Sequence, residues 1–267
     1  MVFEEIFKID WIERKWYAFF LGVVCTIVGL ITAKLIFPSS TGLMSIYFTS
    51  ILLIPSLAKM LKNQEKTETE EKEFSMKTVF KDHQAIFKTY MLLFLGIFFA
   101  YSMMTILLPL PLIQKMFATQ LKVAGLTGFA TNSDALFLSI VHNNLIVFVA
   151  CLALSLFYGA GAVVFLTWNA SVWGIVFSYF IVQSAIAENA NSLFYFFKNI
   201  GPFLPHMITE GFSYVGAAIV GGVMSNDFLS EKLFSKNFFK VAKDSAFLLG
   251  VCFLVVIIAG VLEVYVY

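Results

Sequence analysis

Two ionisable residues, His206 and Glu210, lie at the start of an apolar stretch that continues to about Met224. Proline is tolerated in the first turn of a helix, because the N–H that it lacks would have no partner there. Pro205 is therefore predicted to be the first residue of a membrane helix, which places His206 and Glu210 one turn apart on one face. An ionisable side chain inside a bilayer is costly, so such a residue is by default a functional site or a packing site with a partner.

Small residues continue the same face of this predicted helix at spacings of three and four. A stripe of small side chains lets the backbone of a second helix approach closely. The predicted packing residues are Ser213, Ala217, Gly221 and Ser225, with Pro205 at the helix start and with Gly159 and Gly161 in a tight join between two earlier apolar runs.

Polar side chains also interrupt an earlier apolar run, at His142, Asn143 and Asn144. With a rise of about 1.5 Å per residue, Asn143 and Glu210 fall at similar depths, roughly 8–10 Å from the outer ends of their helices. We therefore expect these groups to meet in the outer half of the bilayer, with Asn169 deeper and nearer the inner side.

This predicted polar cluster has four interpretations. The residues can bridge helices through hydrogen bonds that stabilise by roughly 0.6–2 kcal/mol, or they can form a proton or ion pathway. A cation could be held by His142, His206 and Glu210, since two nitrogen ligands and one oxygen ligand suit a catalytic zinc. A hydrolase would pair Ser139 or Ser155 with His206, but no nucleophile motif surrounds either serine. The structural role, in a protein that is not an enzyme and needs no metal or cofactor, is the preferred interpretation.

The composition is that of a membrane protein. Sixty per cent of the 267 residues are apolar and 13% are charged, and the mean hydropathy is +0.86. Soluble domains are about a quarter charged, whereas a spanning helix needs about 20 apolar residues. We predict an all-α polytopic bundle of about seven spans, which forms one transmembrane domain over residues 16–267. The spans are predicted at 16–37, 43–61, 90–108, 136–157, 162–183, 205–224 and 246–265.

The segments between the spans differ in character. Residues 1–15 are predicted to form an amphipathic segment on the membrane surface, and the charged residues 62–88 a solvated loop with a helical second half. Residues 112–133 and 186–203 are predicted to be external connections. A basic helical face suited to anionic lipid headgroups, or else an ordinary positively charged connector, is predicted at Lys232, Lys236, Lys240 and Lys243.

Charge distribution predicts the orientation. Lysine and arginine concentrate before the first span, within residues 62–88 and after the sixth span. Because positively charged segments remain in the cytoplasm, the N-terminus and residues 62–88 are predicted to be cytoplasmic. The three cysteines are dispersed through apolar runs, without a metal-binding spacing, and nothing indicates nucleic-acid recognition.

A set of residues in the second half of the chain resembles the signature of the stage II sporulation protein M family. These residues are Asn143, Asn144, Gly159, Gly161, Asn169, Gly174, Leu204, Pro205, His206 and Glu210. The family pattern has glycine where this chain has Ala170 and Met207. The resemblance covers a core of about residues 136–224.

The resemblance implies a multi-pass protein of the cell membrane. It further implies a role similar to that of a membrane scaffold, which in sporulating bacteria recruits cell-wall hydrolases during engulfment. We therefore expect a scaffold or a partner subunit of a membrane complex, whose partners are membrane lipids, other membrane proteins or a second copy of the chain. A transporter or permease-like protein and a metal-dependent membrane hydrolase are the alternatives.

Overall fold

The computed structural model describes residues 16–70, 76–126, 133–230 and 236–265, and every regular element within these ranges is a helix. The amphipathic segment predicted at 1–15 and Lys232 lie outside the described residues. The helices are α1 (Tyr17–Ile36), α2 (Thr41–Glu70), α3 (Met76–Leu107), α4 (Leu110–Met116), α5 (Ala118–Leu126), α6 (Ser133–Tyr158), α7 (Val163–Ala187), α8 (Ser192–Ser230) and α9 (Lys236–Tyr265), with a 3-10 turn at Gly159–Ala162 between α6 and α7.

Six stretches of the described residues are long and apolar enough to cross a membrane. One of them, Phe137–Ala187, has 51 residues, more than twice the roughly 20 that span a bilayer. It contains most of α6 and all of α7, so counting helix by helix gives seven, as the sequence predicts. Large apolar side chains are exposed along these helices, including Phe20, Leu35, Leu138, Phe157 and Phe180. An apolar outer surface of this extent suits contact with lipid, and the chain is an all-α multi-pass membrane protein.

The helix at the centre of the bundle is α8. Within an apolar 18-residue window of the stretch Ser192–Ser225 the buried share is 78%, against 33–56% for the corresponding windows of the other candidate spans. It contacts α2, α3, α6, α7 and α9. Within this window most faces of α8 pack on neighbouring helices, so its polar side chains Glu210 and Ser213 lie inside the protein.

α6 runs parallel to α8. Asn144 of α6 lies beside Glu210 of α8, and further along both helices Ser155 lies beside Gly221. Residue numbers therefore increase in the same direction along the two helices, and the single connection α7 returns the chain across the membrane between them.

α7 runs antiparallel to α8, as the paired rings of Trp173 with His206 and of Phe177 with Phe203 show. The sequence predicts a tight join between α6 and α7, which allows an antiparallel hairpin. They are antiparallel and are joined by a short turn, but α6 packs mainly on α8 and α9, while α7 packs mainly on α3. The two helices therefore separate from the turn onward.

The turn between α6 and α7 depends on one glycine. Gly159 has φ +59°, and a Cβ atom added there would meet nothing within 4 Å. Its role is therefore conformational, since glycine adopts the left-handed region without steric cost. A Cβ at Gly161 would lie 2.8 Å from Tyr158 Cβ, within the same turn. Gly159 and Gly161 were predicted to pack helices together. In the structure they shape the turn between α6 and α7 instead.

The start of α8 differs from the prediction. The helix begins at Ser192, and Pro202 and Pro205 both lie inside it. Asn191 caps the helix, because its Oδ1 accepts hydrogen bonds from the N–H groups of Leu193 and Phe194. Each proline removes one backbone donor, and the helix continues through both. Most of the predicted aromatic connection at 186–203 is therefore the first part of α8.

Two predicted connections are also largely helical. α2 continues through Glu70 and α3 begins at Met76, so helices cover most of the charged loop predicted at 62–88. Glutamate and lysine favour helices as well as solvent, which explains the difference. The predicted external connection at 112–133 contains α4 and α5. Gln120 of α5 is buried, and its Nε2 donates to the backbone carbonyl of Gly42 at 3.0 Å.

The orientation can be tested with single cysteines. Phe194 and Tyr158 are exposed at opposite ends of the bundle, and the native cysteines, Cys25, Cys151 and Cys252, are buried. We expect Phe194→Cys to react with an impermeant thiol reagent from outside intact cells, and Tyr158→Cys to react only after permeabilisation. Labelling of Tyr158→Cys in intact cells would reverse the predicted orientation.

Candidate functional site

The described part of the chain contains a buried polar site in the middle of α8. Glu210 is 4% exposed and His206 is 9% exposed. Gly211 packs against Phe94 and Met91, near the middle of the apolar part of α3. Because α8 begins at Ser192, Glu210 lies eighteen residues, or about 27 Å, from the helix start. Glu210 therefore lies near the middle of the apolar stretch Ser192–Ser225, and further along the helix than predicted with Pro205 as the first residue.

Glu210 receives a hydrogen bond from its own helix. Tyr214, one turn further along α8, donates its hydroxyl to Glu210 Oε1 at 3.1 Å. Tyr214 is 1% exposed, so this bond is shielded from water. A hydrogen bond to a charged or polar group in such surroundings is stronger than one in water, and it holds the Glu210 side chain along α8.

Two neighbouring helices contribute polar groups that act on Glu210. The side-chain amide of Asn144, on α6, interacts with the carboxyl group, and the carboxyl group of Glu263, on α9, acts on it through its charge. Asn144 is 3% exposed, and its Nδ2 has no hydrogen-bond partner among the described residues. Glu263 is only partly buried, so α6 brings a buried polar group and α9 a half-buried one to the surroundings of Glu210.

His206 has aromatic surroundings. Its ring lies edge-on to Phe203, with 4.6 Å between ring centroids, and to Trp173 of α7, with 6.3 Å. Edge-to-face ring pairs at these distances are favourable. His206 therefore contributes to the packing of α8 against α7, while Glu210, one turn away, has Asn144 of α6 and Glu263 of α9 nearby.

The other predicted members of the cluster lie elsewhere. His142 and Asn143 are exposed on the outer face of α6. Consecutive residues of a helix are about 100° apart, so the three residues from His142 to Asn144 cannot all face α8. Asn169 is 9% exposed, and its Nδ2 donates to the carbonyl of Phe165 in its own helix at 2.8 Å, as polar side chains within helices commonly do.

The predicted metal and hydrolase sites are not assembled. Among the described residues no group of three or more His, Cys, Asp and Glu could hold a metal ion, and His142 points away from His206 and Glu210. Ser139 is exposed, and Ser155 lies beside Gly221. Gly221 is fifteen residues, or about 22 Å, along α8 from His206, so neither serine pairs with that histidine.

The small residues of α8 face neighbouring helices. Ser213, Ala217, Gly221 and Ser225 are all buried, whereas Pro205 is exposed. At Gly221 an added Cβ would lie 2.5 Å from the carbonyl oxygen of Leu152 and 2.7 Å from Ser155 Cβ. The backbones of α6 and α8 are therefore in direct contact at this point.

The basic face predicted near the start of α9 is described only in part. Lys236 and Lys240 belong to the helix α9, and their side chains lie outside the described part of the structure. Lys243 is exposed, as a residue facing lipid headgroups would be.

The pockets between the helices of the described structure include two of similar volume. One, of about 270 Å³, lies near the turn between α6 and α7 and is lined by residues including Leu61, Tyr158 and Ser225. The other, of about 260 Å³, lies between α2 and α7 and includes Tyr47 and Trp168. Neither of these two pockets is lined by Glu210 or His206.

Tyr214 and Glu263 belong to the site but are absent from the sequence-based prediction. Tyr214 is four residues from Glu210 on the same face of α8, and Glu263 is the one charged residue in the apolar run 246–265. Both signals are visible in the sequence. A lone carboxylate in an apolar run is itself a candidate site.

Comparison with known proteins identifies the family. Nothing among curated proteins or solved structures matches the chain. The family described as stage II sporulation protein M matches residues 85–266, about two thirds of the chain. The match extends beyond the core suggested by the signature residues, from the early part of α3 to the end of α9, and includes the whole polar site. On this match, the chain belongs to the stage II sporulation protein M family.

Proposed function

We propose that the protein is a non-catalytic membrane scaffold, or a partner subunit of a membrane complex, in the cell membrane. The observation that carries this proposal is the enclosure of the polar site. Glu210, Tyr214 and Asn144 are each less than 5% exposed, and the two described pockets lie elsewhere. A site of this kind fits a role in joining helices better than a role in passing a substrate.

The outer surface supports the same proposal. Exposed apolar side chains are present on the first and last spans, at Phe20, Val24, Leu254 and Ile258. Such a surface suits lipid and also the transmembrane helices of other proteins, whose association depends on packing rather than on hydrophobic burial.

Photo-crosslinking tests this function. A photoreactive amino acid is placed singly at Phe20 and Val24 on α1 and at Leu254 and Ile258 on α9, and the full chain is expressed in its own cells. A scaffold should give discrete protein adducts from one of the two faces and only lipid adducts from the other. The lipid-only face is the matched control for the crosslinking chemistry.

Reconstituted vesicles give the complementary measurement. Vesicles that contain a scaffold should remain as impermeable to protons and to alkali cations as vesicles without protein. A flux that requires the wild-type protein and disappears in Glu210→Gln would instead support transport, and it would contradict the proposed scaffold.

A further inference from the structure

Small residues leave an open space where α2, α8 and the turn between α6 and α7 meet. The pocket of about 270 Å³ lies there, and Ala58 of α2 and the turn residues Gly159 and Ala160 are part of its lining. A Cβ atom at Gly159 would meet nothing within 4 Å, which agrees with open space beside the turn. The pocket is therefore a gap in the packing of these elements that no described side chain fills.

This pocket lies at one boundary of the apolar layer. The apolar stretch of α2 ends at Leu61 and that of α8 ends at Ser225, and both residues line the pocket. Tyr158 and Phe157 line it as well, and each is about three quarters exposed. Tyrosine is frequent at the level of the lipid headgroups, where its ring is in hydrocarbon and its hydroxyl group is in water. The pocket therefore opens onto the lipid-facing surface, next to the headgroups of one leaflet.

The lining of the pocket indicates what can enter it. Ser225 and Tyr158 each contribute a hydroxyl group, and the other described lining residues are apolar. Apolar cavities exclude water, and a cavity of about 150 Å³ is large enough for a benzene molecule. A pocket of about 270 Å³ therefore has room for several methylene groups. A helix of a partner protein, with a diameter of about 10 Å, is too wide to enter, whereas the acyl chain of a lipid fits.

A positive charge lies beside the pocket. Lys59 is exposed and directly follows the lining residue Ala58 in α2, two residues before the apolar stretch ends at Leu61. A lysine so close to the end of a span extends its ammonium group to the level of the headgroups. Basic groups beside a gap between membrane helices are typical of sites that hold anionic headgroups.

We propose that this pocket binds one anionic phospholipid, with an acyl chain between Ala58 and the Gly159 turn and the phosphate group near Lys59. The acyl chain supplies the van der Waals contacts that the walls of an empty cavity would lack. The ammonium group of Lys59 favours a negatively charged headgroup over a zwitterionic one. The bound lipid thus completes the packing of α2 against the turn, whatever protein partner the chain has.

The test is lipid binding by the full-length protein, measured by native mass spectrometry. The delipidated protein in detergent is titrated with phosphatidylglycerol, or with phosphatidylcholine of the same acyl chains. The first phosphatidylglycerol should bind more tightly than further molecules and more tightly than phosphatidylcholine. Lys59→Gln should weaken this first step about fivefold, as expected for the loss of one basic residue at a membrane surface. Lys34→Gln is the matched control and should bind as the wild type does, because Lys34 is exposed in the last turn of α1, at the end of the bundle where α2 begins.

Ala58→Trp tests the pocket itself. Ala58 is exposed, so the indole can fill the pocket without displacing a core side chain, and the tight first step should be lost. Ala187→Trp is the matched control, because Ala187 is the exposed last residue of α7, twenty-four residues or about 36 Å from Val163 beside the turn. It should keep the wild-type binding.

Two results would overturn the proposal. One is equal binding of phosphatidylglycerol and phosphatidylcholine by the wild type, and the other is a tight first step that survives in Ala58→Trp. A photoreactive amino acid at Ala58 provides a check in cells. It should give lipid adducts, and a discrete protein adduct in their place would assign the pocket to a partner protein instead of a lipid.

Discussion

Replacing Gly221 with leucine should lower the free energy of unfolding by about 3 kcal/mol, the upper part of the range for overpacked cores. In a chain of this size the melting temperature should fall by about 6–12 °C. The reason is steric, since a Cβ at Gly221 would lie 2.5 Å from the carbonyl oxygen of Leu152, and a backbone atom cannot move aside as a flexible side chain can. Melting in detergent, followed by fluorescence-detected size exclusion, measures the effect.

Gly250→Leu is the matched control for this substitution. Gly250 lies within the neighbouring helix α9, and a Cβ atom there would meet nothing within 4 Å. Both variants replace a helix glycine with leucine, so they differ only in the space available to the new side chain. Equal melting temperatures for Gly221→Leu and Gly250→Leu would show that the contact of α6 with α8 does not support the fold.

Tyr214→Phe should lower the free energy of unfolding by about 1–3 kcal/mol, because it leaves the buried Glu210 carboxyl group without its hydroxyl donor. The loss should be smaller when Glu210 is already glutamine, since the two side chains act together. Coupling energies of about 0.5–3 kcal/mol are typical of residues in contact. Melting of the two single variants and the double variant gives this energy.

Tyr101→Phe provides the comparison. Its hydroxyl is also buried and bonds to Ser45 of α2 at 2.8 Å, away from Glu210. The substitution should be destabilising by itself and additive with Glu210→Gln, as expected for distant sites. If Tyr214→Phe were equally additive, the hydrogen bond between Tyr214 and Glu210 would not contribute to folding.

The class of the fold and the approximate number of membrane-spanning helices could be predicted from the sequence, because apolar length determines them, whereas the short helices α4 and α5 could not. Helix ends could not be predicted in the same way. Pro205 has the composition of a helix start, but the cap that determines the start is Asn191, fourteen residues earlier. Proline disfavours the helix interior, yet the packing of α8 on its neighbours outweighs the loss of two backbone donors.

The sequence could predict which site residues lie together only when they are on the same face of one helix. His206 and Glu210 are on one face of α8, and both are buried as an intramembrane pair should be. The sequence could not show whether Asn143 or Asn144 faces α8. Residue spacing along a helix does not determine how that helix is rotated about its axis relative to a neighbour. Glu263 could not be joined to Glu210, since sequence patterns do not show which helices are neighbours.

The separation of α6 from α7 has a consequence for how the protein is made. α6 leaves the ribosome first, followed by α7, while α8, the main partner of α6, is synthesised last of the three. Chains fold progressively from the N-terminus during synthesis, so α6 and α7 enter the bilayer before the helix that holds them apart exists. Until α8 is synthesised, α6 lacks its main partner, whereas α3, the main partner of α7, is already present. The core is complete only when α9, with its buried Leu248, Cys252 and Val256, has followed α8.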